Sequence, residues 1–317
     1  NNRLNVTFDV YQRRNFDEIA PTVTQLYGTV YANVGSMKSW GEELSISSTN
    51  VKTNDFSWQT SLIYSHNRTE ITNLYNQGRV IDLVQGNGFA KQGYPARALF
   101  SIPFVGINEK GNPVCINEKG QATVGDLNFQ ERNNTDYLIY EGSTDPIYNG
   151  SLGNTFNYKG FHLNLFLTYA FGNVVRLDPV FKAKYNDLTS MTHDFKNRWM
   201  QPGDENVTNV PGVVSRYEYE QNRTLLSTAY NAYNYTSVRT AKGDFIRLKE
   251  ISLAYDFPHR WLENSPVNNI SLKLQATNLM LLYADKKLNG QDPEFMNAGG
   301  VASPMPKQFT LTLKLGL

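Results

Sequence analysis

The sequence predicts an all-β fold, a transmembrane antiparallel β-barrel, and three observations carry that expectation. The chain closes on residues 308–317, where odd positions are large and apolar and even positions are polar or small. A strand sends successive side chains to opposite faces, so this end is itself an amphipathic strand rather than a frayed tail. The same period of two recurs along the 317 residues. The polar faces of these segments are mostly Asn, Gln, Thr and Ser, with Lys273 and Lys314 as exceptions. A water-filled lumen suits such faces; the outside of a soluble sheet is usually studded with Lys and Glu.

Taken in chain order, residues 3–13 place Leu4, Val6, Phe8 and Val10 on one face and Asn5, Thr7 and Asp9 on the other. Leu44 and Ile46 open a second strand, and Phe56, Trp58, Leu62 and Tyr64 fall in phase on a third. Phe100, Ile102 and Phe104 mark another, weakened or bulged by Pro103. Next, Lys159-Gly160 joins Leu152, Phe156 and Tyr158 to the run Phe161, Leu163, Leu165, Leu167, Tyr169 and Phe171. That pair suits a tight turn, with Gly supplying the positive φ. A late hairpin pairs 244–257 with 269–278, where Ile270, Leu272, Leu274 and Ala276 share a face. Within 244–257 the apolar positions change from even (Ile246, Leu248) to odd (Ile251, Leu253, Tyr255, Phe257). The switch near Lys249-Glu250 predicts a β-bulge or the point where the strand leaves the bilayer.

The connections are unequal. Residues 159–160 and 258–268 are short, whereas 109–146 and 173–243 are long, polar and irregular. Outer-membrane barrels have short periplasmic turns and longer extracellular loops, so 173–243 is expected to be a long extracellular loop. Either 70–96 or 109–146 can hide a short strand, which leaves strand directions before residue 140 open. The tandem Ile107-Asn-Glu-Lys-Gly111 and Ile116-Asn-Glu-Lys-Gly120 reads as two successive turns.

Composition narrows the function. A net charge of +1 with no basic run gives no footprint for nucleic acid. The single cysteine, Cys115, excludes a disulfide framework and CxxC motifs. His66, His162, His193 and His259 lack metal-ligand spacing. Asp204-Glu205 and the pair Asp292 and Glu294 around Pro293 read as turn formers or solvated charge, rather than as the paired acids of glycoside cleavage. No nucleophile elbow, P-loop or dinucleotide fingerprint occurs, so no enzyme, cofactor or metal is expected. The candidate ligand contacts are the aromatics of the long loop: Trp199, Tyr217, Tyr219, Tyr230, Tyr233 and Tyr235. Their rings can stack on sugar C–H surfaces or peptide side chains, or equally pack the loop and a partner interface. Trp58 and Tyr169 suit the aromatic girdle at a bilayer boundary. The Asn-X-Ser/Thr triplets read as chance in an Asn-rich chain.

Several segments resemble the SusC/RagA family of TonB-dependent outer-membrane transporters. They are Gly243-Asp244-Phe245-Ile246-Arg247-Leu248-Lys249 with Ile251-Ser252-Leu253-Ala254-Tyr255 and Pro258; Thr277-Asn278-Leu279 leading to Asp292-Pro293-Glu294; and Pro304-Met305-Pro306-Lys307 before the last strand. Pro146, Asn149-Gly150 and 153–161 also match, with weaker echoes at Gly93-Tyr94-Pro95 and in 198–204. The family commonly ends in an aromatic residue, where this chain has Leu317. The resemblance implies a 22-stranded barrel of which residues 1–317 are the C-terminal portion, without the plug and early strands. It also implies import of oligosaccharides or peptides beneath a SusD-like surface lipoprotein, energised by TonB, in the outer membrane of a Gram-negative bacterium. A passive outer-membrane pore or adhesin, and a soluble glycan-binding β-sandwich, are the alternatives, because a sandwich core also demands alternation.

Overall fold

The computed structural model of the chain describes residues 3–24, 26, 28–75, 77–86, 91–185, 191–263, 266–296 and 306–316. Pro304, Met305 and Leu317 lie outside them. Strands β1 (Leu4–Thr24), β2 (Gly28–Lys52) and β3 (Phe56–Leu74) run as a meander. After β3 come α1 (Val80–Gln85) and the short strands β4 (Ala98–Ser101), β5 (Phe104–Ile107), β6 (Pro113–Ile116), β7 (Ala122–Thr123) and β8 (Ile139–Ser143). The meander resumes with β9 (Tyr148–Tyr158) and β10 (Phe161–Phe171). A second excursion holds β11 (Val174–Arg176), α2 (Arg216–Gln221), α3 (Arg223–Asn234) and β12 (Thr240–Lys242). It leads into β13 (Phe245–Asp256) and β14 (Asn269–Ala284), and α4 (Pro293–Met296) precedes β15 (Gln308–Gly316).

Eight strands form one sheet in the order β1-β2-β3-β9-β10-β13-β14-β15, every pair antiparallel. The directions left open before residue 140 follow: β3 and β9 are neighbours, so 75–147 spans one end of the wall. The excursions after β3, β10 and β14 all leave from that end, and the turns 53–55, 159–160 and 257–268 lie at the other. At the tight turn Lys159 and Gly160 both take positive φ, 46° and 86°.

Register makes one face largely apolar, broken at Ser48, Thr60 and Asn154, where the Thr60 hydroxyl and the Trp58 indole donate to Asn154. Val6, Ile46, Leu62, Leu152, Leu167, Leu248 and Met280 are successive cross-strand partners over seven strands. The face is bare: Leu311 is 68% exposed and Leu274 54%. The buried hydrophobic clusters lie instead in the excursions. A soluble sandwich needs a second sheet over these leucines, and among the described residues none lies there; the fold is a barrel wall. Aromatic rings edge the face at both ends. Near the turns, Phe161 stacks on Tyr255 at 4.4 Å, followed by Phe257 and Trp261, with Trp58 on Phe156 at 5.7 Å. Near the excursions stand Tyr64, Tyr148, Tyr169, Phe171 and Tyr283. Strand β10, which joins the two belts, has 11 residues. At ~3.3 Å per residue and a tilt near ~40° it rises about 25 Å, the height of a bilayer's apolar band.

Three expectations change, and one open alternative resolves. β1 and β2 are far longer than their alternation indicated, so Leu44 and Ile46 sit near the end of β2 rather than at its start. Phe100, Ile102 and Phe104 do not form a wall strand. Pro103 separates β4 from β5, β4 is buried on both faces, and Ile102 donates its N–H to the Tyr235 carbonyl. Both alternatives at Lys249-Glu250 reduce to a bulge, with register shifts against β14 between Leu248 and Glu250 and against β10 between Phe166 and Leu167. Finally, 109–146 and 173–243 are not irregular. They fold together with the connection after β14 into a cap, because their scattered apolar residues bury one another. Leu83, Phe100, Cys115 and Ala232 share one cluster, and Val175, Ala241 and Leu288 another. The tandem turns hold as read: Asn108 and Asn117 each accept two backbone N–H bonds across their loops.

Candidate functional site

The inner face of the wall is a mesh of short polar side chains. Asn157 donates to Ser57 Oγ at 2.9 Å, and His162 bridges Asn157 Oδ1 (2.6 Å) and Asp256 Oδ2 (2.9 Å). One turn further along the strands, Asn164 donates to Glu250 and meets Thr155. Carboxylates, amides and hydroxyls held in this way offer exchangeable hydrogen bonds to a hydrated solute while the wall stays rigid. Among the described residues no cluster of His, Cys, Asp and Glu has the makings of a metal site.

Where β13 enters the wall, the segments that carry the family resemblance lock together. The Arg247 Nη2 atom lies 2.6 Å from both oxygens of Asp292 and 3.0 Å from Glu294. Arg247 is only 7% exposed. Asp244 accepts the Gly172 N–H, Asp285 accepts the Lys242 N–H, and Gly243 donates to the Asn173 carbonyl. The tight approach of Asn173 leaves no room for a Cβ on Gly243. Asp292 does turn the chain, accepting the Glu294 N–H, and Glu294 is exposed, but the largely buried Asp292 side chain is not solvated charge: with Glu294 it forms the anionic half of an ion pair with Arg247 that ties the last connection to the wall. Asp204 and Glu205 do form a turn. Asp204 accepts the N–H groups of Met200 and Gln201, and the Trp199 indole donates to Glu205 at 2.9 Å. That indole and the Gly203 N–H hold the Glu205 carboxyl below its usual range.

The six loop aromatics divide. Tyr230, Tyr233 and Tyr235 are buried in the cap. Tyr230 donates its hydroxyl to the Gly212 carbonyl, and burial pushes its phenol well above the ordinary value. Tyr233 meets Phe181 edge-on at 5.1 Å and Phe104 at 5.7 Å, and Tyr235 packs near Phe129. Arg176 threads the same region, donating to the Phe100 and Thr236 carbonyls; burial lowers it to about 10. Trp199 lies over Gly111 and Gly212, whose missing side chains make its slot. Tyr217 stands 79% exposed on α2. Tyr219 bonds Ser227 at 3.2 Å beneath the Lys184 ammonium, and with Lys182, Asn231 and the edge of Tyr230 it lines a groove of about 270 Å³. No sequence signal marked the groove, because its lining comes from 179–184 and 219–234.

A lipid-height apolar band, paired aromatic belts and a polar inner wall under a folded cap define the class: an outer-membrane β-barrel. Comparison with known proteins agrees. No family model matches. "TonB-dependent receptor P3" of Formosa agariphila is 25% identical over 92% of the chain and 29% of its own length. "TonB-dependent receptor SusC" of Bacteroides thetaiotaomicron is 25% identical over 100% of the chain and 30% of its own. The RagAB peptide transporter superposes with a TM-score of 0.72 at 22% identity, over 99% of the chain and 33% of its own, and fixes the fold. The chain thus spans about a third of these relatives' length. It is SusC/RagA-like, an outer-membrane protein of a Gram-negative bacterium.

Proposed function

We propose that the chain supplies wall and outer cap to an importer of oligosaccharides or peptides that works with a SusD-like lipoprotein and draws energy through TonB. The observation that supports this best is the pairing of a hydrogen-bonded polar wall with a cap built from all three long connections at one end. In this reading the cap, including 173–243, is extracellular and meets the lipoprotein. Trp199, Tyr217 and Tyr219 contact the ligand directly, while Tyr230 closes one side of the groove, Tyr233 backs its Phe181 and Tyr235 packs the cap's interior. The TonB dependence is that of the named receptors, and peptide transport that of RagAB.

The test is uptake of labelled oligosaccharides and oligopeptides by cells carrying or lacking the gene, each with and without TonB. Uptake requiring both is expected; uptake that persists without TonB overturns the importer reading in favour of a passive pore. Trp199→Ala and Tyr219→Ala are each expected to weaken ligand binding, and unchanged affinity in both removes them from the site.

A further inference from the structure

We propose that a notch on the outward face of the wall, at the rim between β3 and the cap, binds the phosphate of an outer-leaflet lipid through Arg68. The inference rests on the membrane orientation given above. The notch arises because β9 leaves β3 early. Their pairing ends at His66 and Tyr148, and Asn67 donates to the Ile147 carbonyl. Further along, the same edge of β3 is covered by another segment, Ile71 donating to the Tyr94 carbonyl and Ala96 to Thr69 Oγ1. Between the two covers lies a cavity of about 300 Å³ lined by Asn67, Arg68, Thr69, Tyr140, Ser143 and Asp145, among others. By strand alternation the Thr69 peptide faces the same opening as those of Asn67 and Ile71.

Phase assigns the side. β3 pairs with β2 without a register shift from Thr49 to Met37, so Arg68 shares the outward face of Leu62 and Tyr64. Height assigns the depth. Arg68 stands four residues beyond Tyr64 of the aromatic belt, about 10 Å higher on a strand tilted by ~40°, which is the level of lipid headgroups. Its cross-strand partner is Trp40, over which Lys38 lies at 5.4 Å. Lys38 is engaged with Glu70 and Arg97 with Asp145, at 2.9 Å each. Among the described residues no carboxylate lies within 4.0 Å of Arg68. An exposed guanidinium at headgroup depth, beside donor hydroxyls of Tyr140 and Ser143, matches a phosphate monoester on a glycolipid.

The experiment uses the full-length protein in detergent, with native mass spectrometry reading bound lipid. Diphosphoryl lipid A, the same lipid dephosphorylated, and inorganic phosphate as competitor are the probes. The wild type is expected to hold the phosphorylated lipid at least about tenfold more tightly, the scale of one charge-assisted contact. Arg68→Gln abolishes that preference, whereas Lys52→Gln, a cation at the opposite membrane boundary, retains it. Heat-dependent gel migration verifies that each variant is folded. A preference surviving in Arg68→Gln, no preference in the wild type, or displacement by millimolar inorganic phosphate overturns the proposal. A protein that inserts into vesicles yet shows no preference defeats this inference alone; one that stays soluble without detergent defeats the barrel on which it rests.

Discussion

Leu165 and Asn164 are adjacent in β10 and face opposite solvents, so the same substitution should have very different costs. Leu165 is four residues from Phe161 in one aromatic belt and four from Tyr169 in the other. At ~3.3 Å per residue and ~40° of tilt, about 10 Å of hydrocarbon separates it from either boundary. An arginine there can reach neither headgroup layer comfortably, and Leu165→Arg should cost about 2–4 kcal/mol. Asn164 points inward and donates to Glu250 at 3.3 Å. Asn164→Arg exchanges an amide for a guanidinium beside that carboxylate and should change stability by less than about 1 kcal/mol. Equilibrium urea titration of the full-length protein in lipid vesicles, followed by tryptophan fluorescence and heat-dependent gel migration, measures both. Equal costs for the two variants, or less than about 1 kcal/mol for Leu165→Arg, would refute the assignment of lipid and lumen faces.

Three further outcomes are expected. Arg247→Met leaves Asp292 buried without its cation and should cost about 3–5 kcal/mol, seen as faster proteolysis within 285–307; adding Asp292→Leu should restore most of the loss. Gly150→Ala drives a methyl into the Ile63 carbonyl and the Tyr169 hydroxyl that crosses over it. It should lower stability by about 1–3 kcal/mol, against about 1 for Tyr169→Phe, measured by thermal unfolding. Burial pushes the Cys115 thiol up to about 12. At pH 8 only about one thiol in ten thousand is ionised, so iodoacetamide should modify Cys115 only after unfolding, and prompt labelling of the folded protein contradicts the buried site.

The wall was legible because lipid and lumen impose a strict period of two, and the phase of Leu163 to Phe171 or Phe309 to Leu315 survives intact in the structure. Alternation fades where β1 and β2 lack an apolar face, past Val10 and before Leu44, so their length went unread. The cap was illegible for a different reason. Its core pairs Phe100 with Ala232 and Val175 with Leu288 across separations that no local pattern encodes. The aromatics chosen as ligand contacts illustrate this: Tyr217 and Tyr230 look alike in sequence, yet one is open to solvent and the other is enclosed by α3 and its neighbours. Arg247 was visible only as part of a family motif, because its carboxylate partners come 45 residues later.

The interlocked connections also bear on how such a cap can change. The second connection shares one hydrophobic cluster with the first and another with the third, with Ile102 hydrogen-bonded to Tyr235 and Leu288 seated against Val175. Transplanting a single loop from a homologue would expose one half of a joint and orphan the other. Change in the cap is therefore expected to come by point substitutions on the rim or by exchange of the whole roof at once.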